Sequence, residues 1–176
     1  MGYSMIDQLS SIGMEPRYNE FKLSDDSIIG CTIIDTNGAD RYRVVVETVY
    51  KDTDGILIVY DITNRRSFEE IEKYYIPTLN EKCKKKNFVV MLVGNKKDME
   101  DKRKVTFEEG NELASKYNYL FYEASGCENI NVFESFQKII ESTYYEKRIN
   151  WNNNDDSISL SSSYHKKLNK TRRKCC

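Results

Sequence analysis

The chain has 176 residues, enough for one compact domain with its own core and too few for two. Apolar residues make up 39% and charged residues 31%, an ordinary globular balance, and a net charge of −1 favours no particular partner. Five cysteines without regular spacing, two of them terminal, lack the pattern of a disulfide framework and point to a reducing cytosol. No apolar run approaches the length of a membrane span, and residues 1–6 lack the basic and apolar regions of a secretory signal. Ile6 stands where a myristoylation signal after Gly2 needs Ser or Thr.

Three short apolar runs read as buried strands. Residues 28–34 end at Asp35, the run Ile56-Leu57-Ile58-Val59-Tyr60 ends at Asp61, and residues 88–93 end at Gly94-Asn95. Runs this rich in Val and Ile predict parallel strands covered on both faces. Between the last two, Phe68 to about Lys84 predicts a helix with Ile71, Tyr75, Leu79 and Cys83 on one stripe, bent or interrupted by Pro77. Thr106-Phe107-Glu108-Glu109 is a capping box opening a second helix. Leu120-Phe121-Tyr122 predicts a short strand. Asn131-Val132-Phe133-Glu134 begins a third helix, with Phe133, Phe136, Ile139, Ile140 and Tyr144 at helical spacing. The alternation predicts an open α/β sheet with its ligands beyond the carboxyl ends of the strands, where Asp35, Asp61 and Asn95 fall. From about Trp151 the pattern dissolves into Asn, Asp, Ser and Lys, so residues 1–150 read as the domain and 151–176 as a flexible tail.

Asn95-Lys96-Lys97-Asp98 follows an apolar strand directly and resembles N-K-x-D, the guanine-recognition motif of the small GTPases. A carboxylate there accepts two hydrogen bonds from guanine N1–H and the exocyclic amine, a pair that adenine does not offer. The residues around it resemble the same family in order. Asp35-Thr36-Asn37-Gly38-Ala39-Asp40-Arg41-Tyr42 is similar to D-T-A-G-Q-E-R-F/Y, and the stretch Tyr60 to Phe68 is similar to the family's fourth strand and following turn. Glu123-Ala124-Ser125-Gly126-Cys127 stands where the family has E-T-S-A-K. Ser11-Ile12-Gly13-Met14-Glu15 resembles T-I-G-V-D of the Rab switch I, and the chain ends in Cys175-Cys176, the pair Rab proteins use for double geranylgeranylation.

The resemblance, over about residues 10–148, implies the small-GTPase fold: a mostly parallel sheet with helices on both faces. It also implies GTP or GDP with Mg²⁺ as ligands. Asp98 would take the base, Asn95 brace the loop, and Lys96 lay its aliphatic stem along the ring, while Ser125 and Gly126 complete the guanine side. Gly38 would sense the γ-phosphate, with Ser11 and Asp35 serving Mg²⁺, the latter indirectly. Implied partners are effectors, exchange factors, GTPase-activating proteins and a prenyl-binding escort. The implied place is the cytoplasmic face of intracellular membranes, with an escort-bound cytosolic pool. The basic residues Lys166, Lys167, Lys170, Arg172, Arg173 and Lys174 would add attraction to anionic lipids.

The sequence departs from the family at several points. None of its eight glycines opens a G-x-x-x-x-G-K-[ST] phosphate loop. In the family alignment Met1 falls in or just before switch I, which leaves the first strand and first helix absent and predicts a gap between the strands at 28–34 and 56–61. A chain so cut is expected to fold only partly, and a gene model starting too late is the simplest cause. Ala39 stands where Gln orients the attacking water, which predicts weak hydrolysis and no intact catalytic residue. Asn37 replaces a small Ala, Ser11 the switch Thr, and Cys127 the Lys near the base. These losses favour an alternative, a silent membrane-tethered effector-binding module without nucleotide. A soluble nucleotide enzyme is a third class, distinguished by indifference to Cys175 and Cys176. The basic tail lacks the interleaved aromatics of a nucleic-acid site, and the lone histidine, His165, lies in that tail.

Overall fold

The computed structural model describes residues 15–36, 49–50, 53–83 and 88–154. The chain divides into two compact units, Met1–Glu146 and Lys147–Cys176. In the first, a parallel sheet has the order β3 (Gly55–Asp61), β4 (Val89–Asn95), β5 (Leu120–Glu123). A separate antiparallel ribbon pairs β1 (Glu15–Lys22) with β2 (Ile28–Asp35). This mixed α/β architecture agrees with the small-GTPase fold that the motifs imply.

Only β4 is the doubly covered strand that its composition suggests. Val90 and Leu92 enter one core with Ile58, Tyr60, Ile62, Ile71 and Leu79, while Met91 and Val93 enter a second with Ala124, Ile139 and Ile140 on the other face. The expectation for residues 28–34 is corrected. Along β2, Ile29, Cys31 and Ile33 are half-buried, whereas Ile28, Thr32 and Ile34 are exposed, because the strand lies in a two-stranded ribbon with one face on the second core. Its partner β1 was not expected as a strand at all. The turn between them is set by Leu23 N–H to Ser27 O at 2.8 Å and by Asp26 at φ 64°. A β-carbon on Gly30 would sit 2.3 Å from the Tyr18 hydroxyl across the ribbon, a contact that the exposed Tyr18 side chain can relieve by turning outward.

The strand at 56–60 also departs from expectation. Val59 is 58% exposed, although Ile58 and Tyr60 on the opposite face are buried. Among the described residues β3 pairs with β4 alone, and no ladder joins it to β2.

The helix expected from Phe68 begins three residues earlier. It runs as α1 (Arg65–Glu70), a wide π turn (Ile71–Tyr75) and α2 (Ile76–Lys82). Pro77 supplies the reason: it has no N–H for the carbonyl four residues back, and its ring crowds that carbonyl. The wide turn bonds Ile76 N–H to Ile71 O instead. The stripe survives, with Ile71 and Leu79 buried and Tyr75 and Cys83 half-buried.

The capping box forms as expected at the start of α3 (Phe107–Lys116). Glu109 N–H donates to Thr106 Oγ1 at 3.2 Å, and Thr106 N–H to Glu109 Oε2 at 2.9 Å. The last helix, α4 (Val132–Asn154), runs past the expected tail boundary, so residues 151–154 are helical; residues 155–176 lie outside the described residues.

Tyr60 closes the first core. It packs on Phe68 with ring centroids 5.0 Å apart, and it fills the space above Gly94 and Gly110. A β-carbon on Gly110 would lie 2.5 Å from the Tyr60 hydroxyl and 2.6 Å from the Phe121 ring. That hydroxyl is buried with no hydrogen-bond partner among the described residues, and burial, followed by the nearby Glu123 carboxylate, pushes its pKa up. Tyr60→Phe is expected to stabilise the domain by about 1 kcal/mol, because it removes a desolvated donor. Gly110→Ala is expected to cost about 1–3 kcal/mol through overpacking. Urea denaturation midpoints check both.

Candidate functional site

Three parallel strands end at one level. The register pairs Asp61 with Asn95 and Gly94 with Glu123, so the loops after β3, β4 and β5 converge at the carboxyl edge of the sheet.

The loop after β4 is held from both sides. Ile62 N–H, in the β3 loop, donates to Asn95 O at 3.1 Å, and Ile62 O accepts from Lys104 N–H at 2.8 Å and Val105 N–H at 3.0 Å. From the β5 side, Ala124 N–H donates to Gly94 O at 2.9 Å, and Lys97 N–H donates to Ala124 O at 3.0 Å. Between these anchors Lys96 adopts the left-handed conformation, φ 68° and ψ 37°, which crowds its β-carbon against the following carbonyl and persists only where neighbours enforce it. A tight 3₁₀ segment, Lys97–Lys102, follows.

The side chains meet in this frame. Ser125 Oγ donates to Asp98 Oδ1 at 2.5 Å and accepts from Glu128 N–H at 3.0 Å, while Asp98 Oδ2 accepts no bond from a described residue. Asn95 Oδ1 accepts from Gly126 N–H at 3.2 Å. A pair of bonds between Ser125 and Ile130 closes the turn that carries Gly126 and the exposed Cys127. Among the described residues, only Asn95 Oδ1, 3.9 Å away, stands within 4 Å of the place of a β-carbon on Gly126. Lys96 Nζ reaches Asp61 Oδ2 at 2.7 Å.

Asp61 is fixed by more than that ion pair. Its Oδ1 accepts from Thr63 N–H at 2.8 Å and from Thr63 Oγ1 at 2.7 Å. Burial alone would raise its pKa, but the Lys96 ammonium and the two Thr63 donors outweigh it and hold the carboxyl below its ordinary value. A group whose pKa is lower folded than unfolded contributes stability above the unfolded value, about 3.9 for Asp, and that contribution is lost as pH falls through the folded value. Asp61→Asn is therefore expected to flatten the acid limb of stability below about pH 4, read from urea midpoints across that range.

Beneath the site, the Arg103 guanidinium grips the buried Glu123 carboxylate in a bidentate pair, Nη1 to Oε1 at 2.6 Å and Nη2 to Oε2 at 2.9 Å. Its remaining donors take Glu100 and Val105 O. This clamp joins the end of the β4 loop to the end of β5.

The structure thus brings together Asn95, Lys96, Asp98, Ser125 and Gly126. Asp35, by contrast, ends β2 in the other sheet, exposed, and no hydrogen bond or ion pair links it to them. Ser11, Asn37, Gly38, Ala39, Cys175 and Cys176 lie outside the described residues. Among the described residues, no three His, Cys, Asp or Glu side chains converge on a metal position. The donor set fits a purine base: one carboxylate with an oxygen available, a lysine stem and a turn without a side chain at its apex. Two residues escaped the sequence reading as part of the site. Asp61 was placed at the ligand edge of the sheet but given no role, and Arg103 carries no local signal, being eight residues from Asn95 and twenty from Glu123.

The family profile that matches residues 5–145 is that of the Ras family, and it spans Asp61, Asn95, Lys96, Asp98, Arg103, Ser125 and Gly126. The chain belongs to the Ras family. Among curated Ras-family relatives, it is 34% identical over 139 residues to Ras-related protein Rab11B of Nicotiana tabacum, covering 79% of this chain and 63% of that one. It is 35% identical over 139 residues to Ras-related protein Rab-15 of Rattus norvegicus, covering 76% and 61%. To Ras-related protein Rab-3A of Homo sapiens it is 38% identical over 117 residues, covering 66% and 52%. Within the Ras family the likeness is thus to Rab proteins. The chain spans less than two thirds of the length of these relatives.

Proposed function

We propose that this chain carries the guanine-recognition site of a Rab-like switch that binds GTP and GDP with Mg²⁺ and acts in intracellular membrane traffic. The observation that supports it most is the Asp98 carboxylate, oriented by Ser125 through one oxygen and open at the other. Guanine offers two adjacent donors to such a group. Asn95, held against Gly126, fixes the loop, and Lys96 supplies an apolar stem for the ring face. Gly38, Ser11 and Asp35 are assigned to the γ-phosphate and Mg²⁺ by the family motifs. Mg²⁺ would supply charge neutralisation at the phosphates. Ala39 has no group to orient water, so hydrolysis is slow and depends on an activating protein. Effectors and exchange factors read and reset the bound state. Geranylgeranyl groups on Cys175 and Cys176, delivered by an escort, hold the protein on the cytoplasmic face of membranes; two lipids suffice where one is marginal.

A second reading is a silent, membrane-tethered binding module. It is favoured by the lack of any G-x-x-x-x-G-K-[ST] in these 176 residues. Titration of the purified full chain with a fluorescent GTP analogue, with Mg²⁺ and with chelator, separates the two. Saturable binding that weakens on chelation supports the switch; folded protein that binds neither GTP nor GDP sinks it. Anchoring has its own test. A fluorescent Cys175→Ser/Cys176→Ser variant is expected to leave the membrane fraction entirely, and its retention there would overturn the lipid assignment.

A further inference from the structure

Lys96 is the least self-sufficient part of the site. Its backbone is fixed in a left-handed conformation, with Met99 N–H bonded to its carbonyl at 2.8 Å and both flanking peptides anchored to other loops. Its side chain is half-exposed, and a lysine left to itself samples many rotamers. One described acid meets its ammonium: Asp61, at 2.7 Å. Asp61 is itself immobilised, because Thr63 occupies Oδ1 with two bonds, leaving Oδ2 aimed at Lys96. The same turn donates Ile62 N–H to Asn95 O, so the residue that grips the lysine tip is rigidly coupled to the loop that carries the lysine. The lysine stem is thereby held at both ends.

We propose that Asp61 is a positioning residue for the nucleotide base: it holds the Lys96 ammonium so that the lysine stem is pre-set as one wall of the guanine slot. This rests on the guanine reading of the site. It assigns Asp61 a role at the base, away from the phosphates and metal, and it predicts that Asp61 acts only through Lys96.

Two measurements on the full chain test it. The first is lysine acylation resolved by mass spectrometry, with the neighbouring exposed Lys97 as internal reference. Asp61→Asn keeps an acceptor for Thr63 but loses the charge, and Lys96 is expected to react about two- to fivefold faster relative to Lys97, as for a partly exposed ion pair. An unchanged ratio overturns the proposal. The second is a double-mutant cycle in GDP affinity. Asp61→Asn should weaken GDP binding by about three- to tenfold with Lys96 present, and by less than about twofold in a Lys96→Ala background. Equal losses in both backgrounds would mean that Asp61 acts on the fold in general, and the proposal fails. A wild-type chain that shields Lys96 in an Asp61-dependent way, yet binds GDP no better than ADP, overturns the guanine reading and the proposed role together. The acylation result tells that failure apart from a failure of Asp61 to hold the lysine.

Discussion

Arg103→Ala is expected to destabilise the domain by about 3–5 kcal/mol, the cost of leaving a buried carboxylate without its partner. Glu123 is 4% exposed, and both of its oxygens are taken by the guanidinium. Glu123 brings that charge into the protein at the end of β5, directly below the turn that carries Ser125. Against a typical domain stability of about 5–15 kcal/mol, the loss is a large fraction of the total. Circular dichroism during urea denaturation checks it. Two controls separate the pair from its surroundings. Glu100→Ala removes only the exposed arm and should leave the urea midpoint nearly unchanged. Arg103→Met combined with Glu123→Leu removes both charges and should recover most of the stability, since an apolar replacement of a buried pair is often neutral. If Arg103→Ala cost no more than Glu100→Ala, the clamp would not hold the two loops.

Asp98→Ala is expected to abolish discrimination between guanine and adenine nucleotides. In the proposed site this carboxylate would accept from two adjacent guanine donors, and each charge-assisted bond is worth about 1.5–3 kcal/mol. Loss of both predicts a fall in GDP affinity of at least about a hundredfold, with ADP binding unchanged. Ser125→Ala should produce a smaller loss in the same direction, because it frees Asp98 to rotate without removing an acceptor. Competition of GDP and ADP against a fluorescent nucleotide reads both variants. An Asp98→Ala chain that still preferred GDP would place guanine recognition elsewhere.

Much of this was legible in the sequence, for reasons that differ by element. The apolar run at β4 was read correctly because its two faces enter two different cores. The same reasoning failed at β2, where Ile28, Thr32 and Ile34 face solvent. Composition does not say whether an Ile-rich strand has cover on one side or two. β1 escaped because Glu-Pro-Arg-Tyr-Asn-Glu-Phe-Lys shows almost no apolar alternation; its backbone is held by the β2 ladder, and Phe21 alone of its apolar side chains turns inward. The Thr106 capping box and the disturbance at Pro77 were legible because each follows from backbone chemistry over a few residues.

The candidate site divides along the same line. Asn95, Lys96 and Asp98 are contiguous, and Ser125 and Gly126 sit in a recognisable block, so local pattern sufficed to name them. The contacts that set their geometry, Asp61 with Lys96 and Arg103 with Glu123, join residues 35 and 20 positions apart. Such pairs depend on which strands end at one level. That is a property of the sheet register rather than of any segment.

Hydrogen exchange of the full chain with and without saturating GDP tests the central claim most directly. The account predicts slower exchange of amides in two separate segments, 95–104 after β4 and 125–130 after β5, with GDP and not with ADP. Protection confined to other segments, or equal protection by ADP, would contradict the assignment of these two loops as a guanine site.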